Sequence, residues 1–258
     1  MIDLHSHILF DVDDGALTLA ESLAMAEVAA RDGTRVIAAT PHSPGSSACR
    51  LYDPATIHAR VTAINTALSR EGLPIEVVAG TEIFYTPSII ERLQRGELLA
   101  YGRSRAVLLE LVGSSIPASF DNAVFNLQVA GYRIVLAHPE RIVEVQQRPE
   151  RLVPLIERGV LMQVTAEALV GAQGERLRST AETLLTHAMA HVLASDAHGV
   201  RPRRPPLLSA ARARAAALIG QAAADALVTT TPAALLANQQ LKLPTPLPVR
   251  HSGGRWWR

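Results

Sequence analysis

The chain begins Met1-Ile2-Asp3-Leu4-His5-Ser6-His7 and continues, after a short interval, with Asp13-Asp14-Gly15. If residues 2–7 form a strand, side chains alternate between faces, so His5 and His7 share one face with their Cα atoms about 7 Å apart. Two imidazoles at that distance can converge on one ion, and a carboxylate pair follows them. In a chain with nine histidines an H-x-H pair specifies little by itself. Its weight depends on the residues that stand at the ends of the other strands.

Six further short apolar runs rich in β-branched residues occur, at 35–39, 75–79, 106–109, 133–137, 161–164 and 191–194. Helix-like stretches separate them, which is the βα alternation of a mostly parallel sheet. The helices carry their own punctuation. Thr18-Leu19-Ala20-Glu21 matches a capping box, and Gly33 stands where a helix would end. Asp53 caps the next, Pro54 suits its first turn, Ile57, Val61, Ile64 and Leu68 lie on one face, and Gly72 closes it. Pro149 is expected to open a helix running to about Gly159, and Thr229-Thr230-Thr231-Pro232 to start another.

The composition narrows the classes. With 258 residues and 48% hydrophobic content the chain can bury one large core, and a single domain over 1–242 with a flexible Pro-rich, then Arg- and Trp-containing tail over 243–258 is expected. The formal net charge is +1 with dispersed basic residues, which argues against nucleic acid as a partner. No apolar stretch approaches the roughly 18 residues of a membrane span; the alanine-rich region 207–228 is broken by Arg212, Arg214 and Asp225. A lone cysteine, Cys49, and the absence of a secretory signal pattern lead to the cytoplasm as the expected location.

The residues at the end of each run carry the chemistry. His5 and His7 stand after the first, Thr40-Pro41-His42 after the second, Gly80-Thr81-Glu82 after the third, Glu110 after the fourth, His138-Pro139-Glu140-Arg141 after the fifth, and Ser195-Asp196-Ala197-His198 after the seventh. In a parallel barrel all strand C-termini share one rim, so these residues would meet there. The donors are His5, His7, Asp14, His42, Glu82, Glu110, His138, Asp196 and His198. Nine are too many for one ion and imply two or three, with a carboxylate bridging. Imidazole with carboxylate and no thiolate favours manganese, iron or zinc. Glu140 either reaches the site or supports it. His58, His187, His191 and His251 read as solvated, packing or tail residues. Cys49 cannot head a phosphate-cradling Cys-x5-Arg loop, because Ala55 occupies the arginine's place.

The runs His5-Ser6-His7, Asp13-Asp14-Gly15, Thr40-Pro41-His42, Gly80-Thr81-Glu82, Ala137-His138-Pro139-Glu140-Arg141 and Ser195-Asp196-Ala197-His198, in this order, resemble the polymerase and histidinol phosphatase (PHP) superfamily. They look most like its bacterial protein-tyrosine phosphatase branch, encoded with capsule and exopolysaccharide genes. The resemblance implies an α/β fold built as a distorted (β/α)7 TIM-like barrel, the PHP fold, with the metal site at the C-terminal ends of the strands. It implies a manganese cluster and, as substrate and partner, a phosphotyrosine-containing protein, a bacterial tyrosine kinase controlling polysaccharide export. Asp196 and His198 would be catalytic as well as metal-binding, and Arg141 would bind the substrate phosphate. A second phosphate-binding arginine precedes two prolines in the family. Here Arg204 fits by its Pro205-Pro206 context and Arg203 by its distance from His198, and Gly199 stands where an asparagine is usual.

Three other functions fit parts of the pattern. A small-molecule phosphatase of the same superfamily, acting on a compound such as histidinol phosphate, would use the same ligands. An amidohydrolase-type deaminase or lactonase commonly bridges its metals with a modified lysine where this chain has Glu110. A non-catalytic regulatory module would show a depleted ligand set, and none of the donors is missing.

Overall fold

The computed structural model describes residues 1–249 apart from Ser47, Leu51 and Arg201. Eight strands occur among them: β1 (Ile2–Ser6), β2 (Val36–Ala39), β3 (Glu76–Ala79), β4 (Glu82–Phe84), β5 (Ala106–Glu110), β6 (Arg133–Ala137), β7 (Leu161–Thr165) and β8 (Val192–Ala194). All pair in parallel, in two sheets ordered β1-β2-β3 and β4-β5-β6-β7-β8. The all-parallel pairing results from a helical connection after nearly every strand.

The count exceeds the seven runs read from sequence, because the third run does not carry the chain into Glu82. Gly80 is wedged so tightly that a Cβ there would lie 3.2 Å from the Thr40 methyl and 3.3 Å from the Tyr101 ring. The ladder with β2 ends at Ala79, and Glu82 begins a strand paired with β5 instead. The two sheets touch on both flanks. On one, a bridge joins His42 to Glu82, with Glu82 N donating to Pro41 O at 3.0 Å and Ser43 N to Glu82 O at 2.8 Å. On the other, a bridge joins Ser6 to Ala197, and buried Asp3 accepts from Ser195 N at 3.0 Å and from Ser195 Oγ at 2.5 Å.

Helix boundaries follow local chemistry. Thr18 accepts from Glu21 N at 3.2 Å at the head of the helix Leu19–Arg31, while Glu21 reaches back to Leu17 N, one residue before the expected partner. Asp53 accepts from Thr56 N at 2.8 Å and heads Pro54–Arg70, which buries Ile57, Ile64 and Leu68. The single helix expected from Pro149 is instead a 3-10 turn, Pro149–Leu152, followed by the helix Val153–Glu157. Pro154 lacks the N–H that a continuous helix would need there. The segment Thr230–Leu236 is helical.

Three apolar clusters stabilise this frame, each fully buried Leu, Ile or Val contributing roughly 1.5–3 kcal/mol. One lies around β1–β3 with Met25, Ile57 and Ile64, and one around the five-stranded sheet with Phe120, Val124 and Leu184. The third draws on both sheets: Leu4, Ala38, Leu108, Val135, Leu161 and Val192, one from each of six strands, pack together with Tyr101. Leu243 and Val249 of the tail rest against the core, and Leu247 N donates to His187 O at 2.9 Å. Trp256, Trp257 and His251 lie outside the described residues. No helix among those described is long and apolar enough to cross a membrane.

Candidate metal centre

The strands deliver chemically capable side chains to one place. His5 is on β1, His7 just past it, His42 past β2, Glu82 at the head of β4, Glu110 at the end of β5, His138 past β6, and Asp196 and His198 past β8. Asp14 arrives on the loop after β1. The structure brings these nine donors into four overlapping groups: His7, Asp14, His42 and His198; His5, His7 and Asp196; His5, Glu82 and His138; and His42, Glu82 and Glu110. Within each group the donor atoms lie within 4.8 Å of one another. Glu82, His5, His7 and His42 each belong to two of the groups, and of these four only Glu82 is a carboxylate.

Local backbone geometry makes this convergence possible. His138 and Asp196 adopt left-handed conformations, φ 33° and 52°, at about 1–3 kcal/mol each for residues with a Cβ. Gly15 closes the Asp13-Asp14-Gly15 turn so tightly that a Cβ would lie 2.0 Å from His7 O. Neighbours then aim the rings. His5 Nδ1 bonds Gln163 Oε1 at 2.8 Å, His7 Nδ1 bonds Asp13 Oδ2 at 2.7 Å, and His198 Nδ1 bonds Asp196 O at 2.9 Å. With Nδ1 donating, each Nε2 turns a lone pair toward the shared space. Asp13 is fixed in turn, accepting from Gly15 N at 2.9 Å and His42 N at 3.0 Å.

Five buried atoms facing one another, His5 Nε2, His7 Nε2, His42 Nδ1, Glu82 Oε2 and Glu110 Oε2, have no partner of good hydrogen-bond geometry, although His42 Nδ1 lies 2.9 Å from Glu82 Oε2. Buried polar atoms are normally paired, so a concentration of unpaired lone pairs from imidazole and carboxylate fits divalent cations as their partner. The ionisable groups interact strongly with one another. Burial alone would raise the Glu82 carboxyl, but His5, His138 and His42 around it hold it well below the usual range. Burial and the Glu82 charge together push Glu110 up to about 7. Burial opposes charge on His7, yet Asp13 and the carboxylates beyond it raise its imidazole well above the ordinary value. Burial and Arg141 lower His138 to about 4.

Two guanidinium groups meet the centre at one atom. Arg141 Nη2 donates to Asp196 Oδ2 at 2.6 Å, and Arg204 Nη1 donates to the same oxygen. Arg203, equally open from sequence as a phosphate ligand, is placed elsewhere. Its Nη1 donates to Glu21 Oε1 at 3.0 Å and its Nη2 to Gly15 O at 2.9 Å and to Asp14 O. The turn that brings His198 N onto Arg204 O at 2.9 Å sends the two adjacent side chains in different directions. Arg203 therefore braces the Asp14 loop.

Glu140 joins none of the donor groups; its Oε1 accepts from Thr165 N at 2.9 Å, beside Arg141. The orienting roles of Gln163 and Asp13 and the clasp made by Asp3 emerge only from the structure, although Gln163 is a polar residue inside an apolar run. His58, His187 and His191 lie in none of the groups. Burial raises the Cys49 thiol to about 11, the opposite of what a nucleophilic thiolate requires.

An all-parallel α/β protein that gathers imidazoles and carboxylates at its strand ends is of the metal-dependent hydrolase class. This chain belongs to the CpsB/CapC family of capsular polysaccharide synthesis, which it matches over residues 1–237. It is 35% identical over 203 residues to the tyrosine-protein phosphatase YwqE of Bacillus subtilis, covering 79% of each chain. It is 33% identical over 203 residues to the putative tyrosine-protein phosphatase CapC of Staphylococcus aureus, again covering 79% of each. A solved structure from work on YwqE and Streptococcus pneumoniae CpsB, described as unique metal-dependent tyrosine phosphatases, superposes with a TM-score of 0.91. That match has 32% identity and covers 97% of this chain and 100% of the other. The phosphotriesterase homology protein of Escherichia coli, at TM-score 0.60 and 12% identity, shares the fold.

Proposed function

We propose that this chain is a metal-dependent protein-tyrosine phosphatase that acts in the cytoplasm on a bacterial tyrosine kinase governing capsular or exopolysaccharide synthesis. The observation that carries the reading is the set of five buried donor atoms that converge without a well-formed hydrogen bond, flanked by two arginines on Asp196. Nine donors in four overlapping groups suit two or three divalent ions, manganese foremost. The same reading takes the two sheets as one distorted barrel of seven strand positions, β3 and β4 sharing one. The bridges on both flanks and the apolar cluster drawn from six strands support it.

Bound divalent ions would supply Lewis-acid stabilisation and a nucleophile at neutral pH. His5, His7, Asp14, His42, Glu82, Glu110, His138, Asp196 and His198 would hold them. Arg141 and Arg204 then turn from Asp196 to the equatorial phosphate oxygens, where negative charge accumulates during phosphoryl transfer. Arg203 keeps the Asp14 loop in register. A tyrosinate leaves with a conjugate pKa of about 10, so the reaction makes a modest demand for proton donation and favours aryl over alkyl phosphates.

The purified protein, metal-loaded and then treated with chelator, tests this on phosphotyrosine and phosphoserine peptides. Hydrolysis of phosphotyrosine that chelation abolishes and manganese restores is expected. Equal rates on phosphoserine, or activity that survives chelation, would refute it.

A further inference from the structure

A concavity flanks the centre. Between the turn 202–205 and the short helix Ala166–Leu169 lies a cleft of about 700 Å3, lined by Glu167, Ala172, Pro202, Arg203, Arg204 and Pro205. Arg204 belongs to both places: it lines the cleft, and its guanidinium bonds Asp196 in the centre. Whatever phosphate Arg204 holds, the group attached to that phosphate has this cleft beside it.

The walls differ in charge. On the turn, Arg203 is matched by Glu21 at 3.0 Å and Arg204 by Asp196. On the opposite wall Glu167 makes no ion pair among the described residues; its Oε2 meets Gln173 Nε2 at 3.5 Å, a marginal contact. Its carboxylate is thus the lining charge without an opposite number there. Pro202 and Pro205 each lock one φ in the facing wall, which lowers the cost of ordering it.

We propose, resting on the phosphotyrosine-phosphatase reading, that this cleft receives the peptide chain next to the phosphotyrosine and that Glu167 selects a lysine or arginine near it. The substrate class is a phosphotyrosine flanked by basic residues. A small phosphate monoester would leave the cleft unfilled.

The test uses three phosphotyrosine peptides that differ in carrying Lys, Ala or Glu at the two positions on either side of the phosphotyrosine, assayed with the manganese-loaded full chain. A partly exposed ion pair gained in one peptide and a repulsion in another separate the Lys from the Glu peptide by roughly ten-fold in kcat/KM, mainly through KM. That ratio, taken within a single preparation, is independent of overall activity. Glu167→Gln is expected to bring it near one, and Glu167→Lys to invert it. A wild-type ratio near one, or a ratio that Glu167→Gln leaves intact, overturns the assignment of the cleft. Hydrolysis of none of the three peptides overturns the phosphatase reading on which it rests.

Discussion

Strand β8 has a histidine on each side, His191 buried and His198 half-buried, and the two are used differently. His191 precedes the strand and its Nδ1 accepts from Met162 N at 3.0 Å; His198 comes after it and its Nδ1 donates to Asp196 O at 2.9 Å. Burial lowers both imidazoles, His191 to about 4, with His7 adding to the effect at His198. They part at Nε2. That of His191 is buried without a partner, whereas that of His198 faces Asp14 Oδ1 at 3.3 Å and shares a donor group with His7, Asp14 and His42. Burial and a depressed pKa therefore do not mark a site. Lone pairs converging from several strands do.

The sharpest way to break the comparison is to remove each ring in turn. Loss of a metal ligand forfeits several kcal/mol of charge stabilisation, so His198→Ala should lower manganese-dependent para-nitrophenyl phosphate turnover on the order of 10³-fold. His191→Asn, which retains an acceptor for Met162 N, should keep turnover within about two-fold. Comparable losses in both would mean that β8 matters as a strand and not through its C-terminal end.

Next in size is the contrast between adjacent arginines. Removing a preorganised donor to developing charge costs about 10²- to 10³-fold, so Arg204→Ala should lower kcat/KM by that order. Arg203→Ala, which releases the Asp14 loop from its brace, should weaken metal retention more than phosphate binding. Steady-state kinetics with metal analysis of the same samples separates the two.

Acid should expose His191. Its folded pKa lies below the unfolded value of about 6.5, so the unfolded chain binds the extra proton first as pH falls. The stability it contributes is complete above about 6.5 and is lost as pH falls toward about 4, by roughly 3 kcal/mol at most. Urea titrations of chelated wild type and His191→Asn at pH 7 and pH 4.5 read this directly: the variant should lose less. The smallest effect concerns ring orientation. Gln163→Ala frees His5 Nδ1 and should weaken metal affinity by about 10- to 100-fold, measurable by competition with a chromogenic chelator.

The sequence was most legible where chemistry and periodicity coincide. A short apolar run followed closely by His, Asp or Glu is visible in one dimension; eight of the nine expected donors were read that way and Asp14 from the Asp13-Asp14-Gly15 motif, and all nine lie in the four groups. The separate strand β4, just beyond the third run, was not visible. Only Gly80 and Thr81 separate β3 from β4, too few to register as a turn, and Gly80 sits close to the Thr40 methyl and the Tyr101 ring, both remote in sequence. Arg203 and Arg204 could not be told apart either, because their directions depend on the backbone of the turn. Gln163 and Asp3 were hidden inside strands, where a lone polar residue looks like an exception until its partner on another strand is known.

Glu82 opens the second sheet, bridges to His42 of the first, and shares donor groups with His5 and His42. An ion held there would join the two sheets as a rivet joins two plates. Its loss would remove a fastening between them at the proposed reaction site, and a slip there would dull the catalyst before it unfolded the protein.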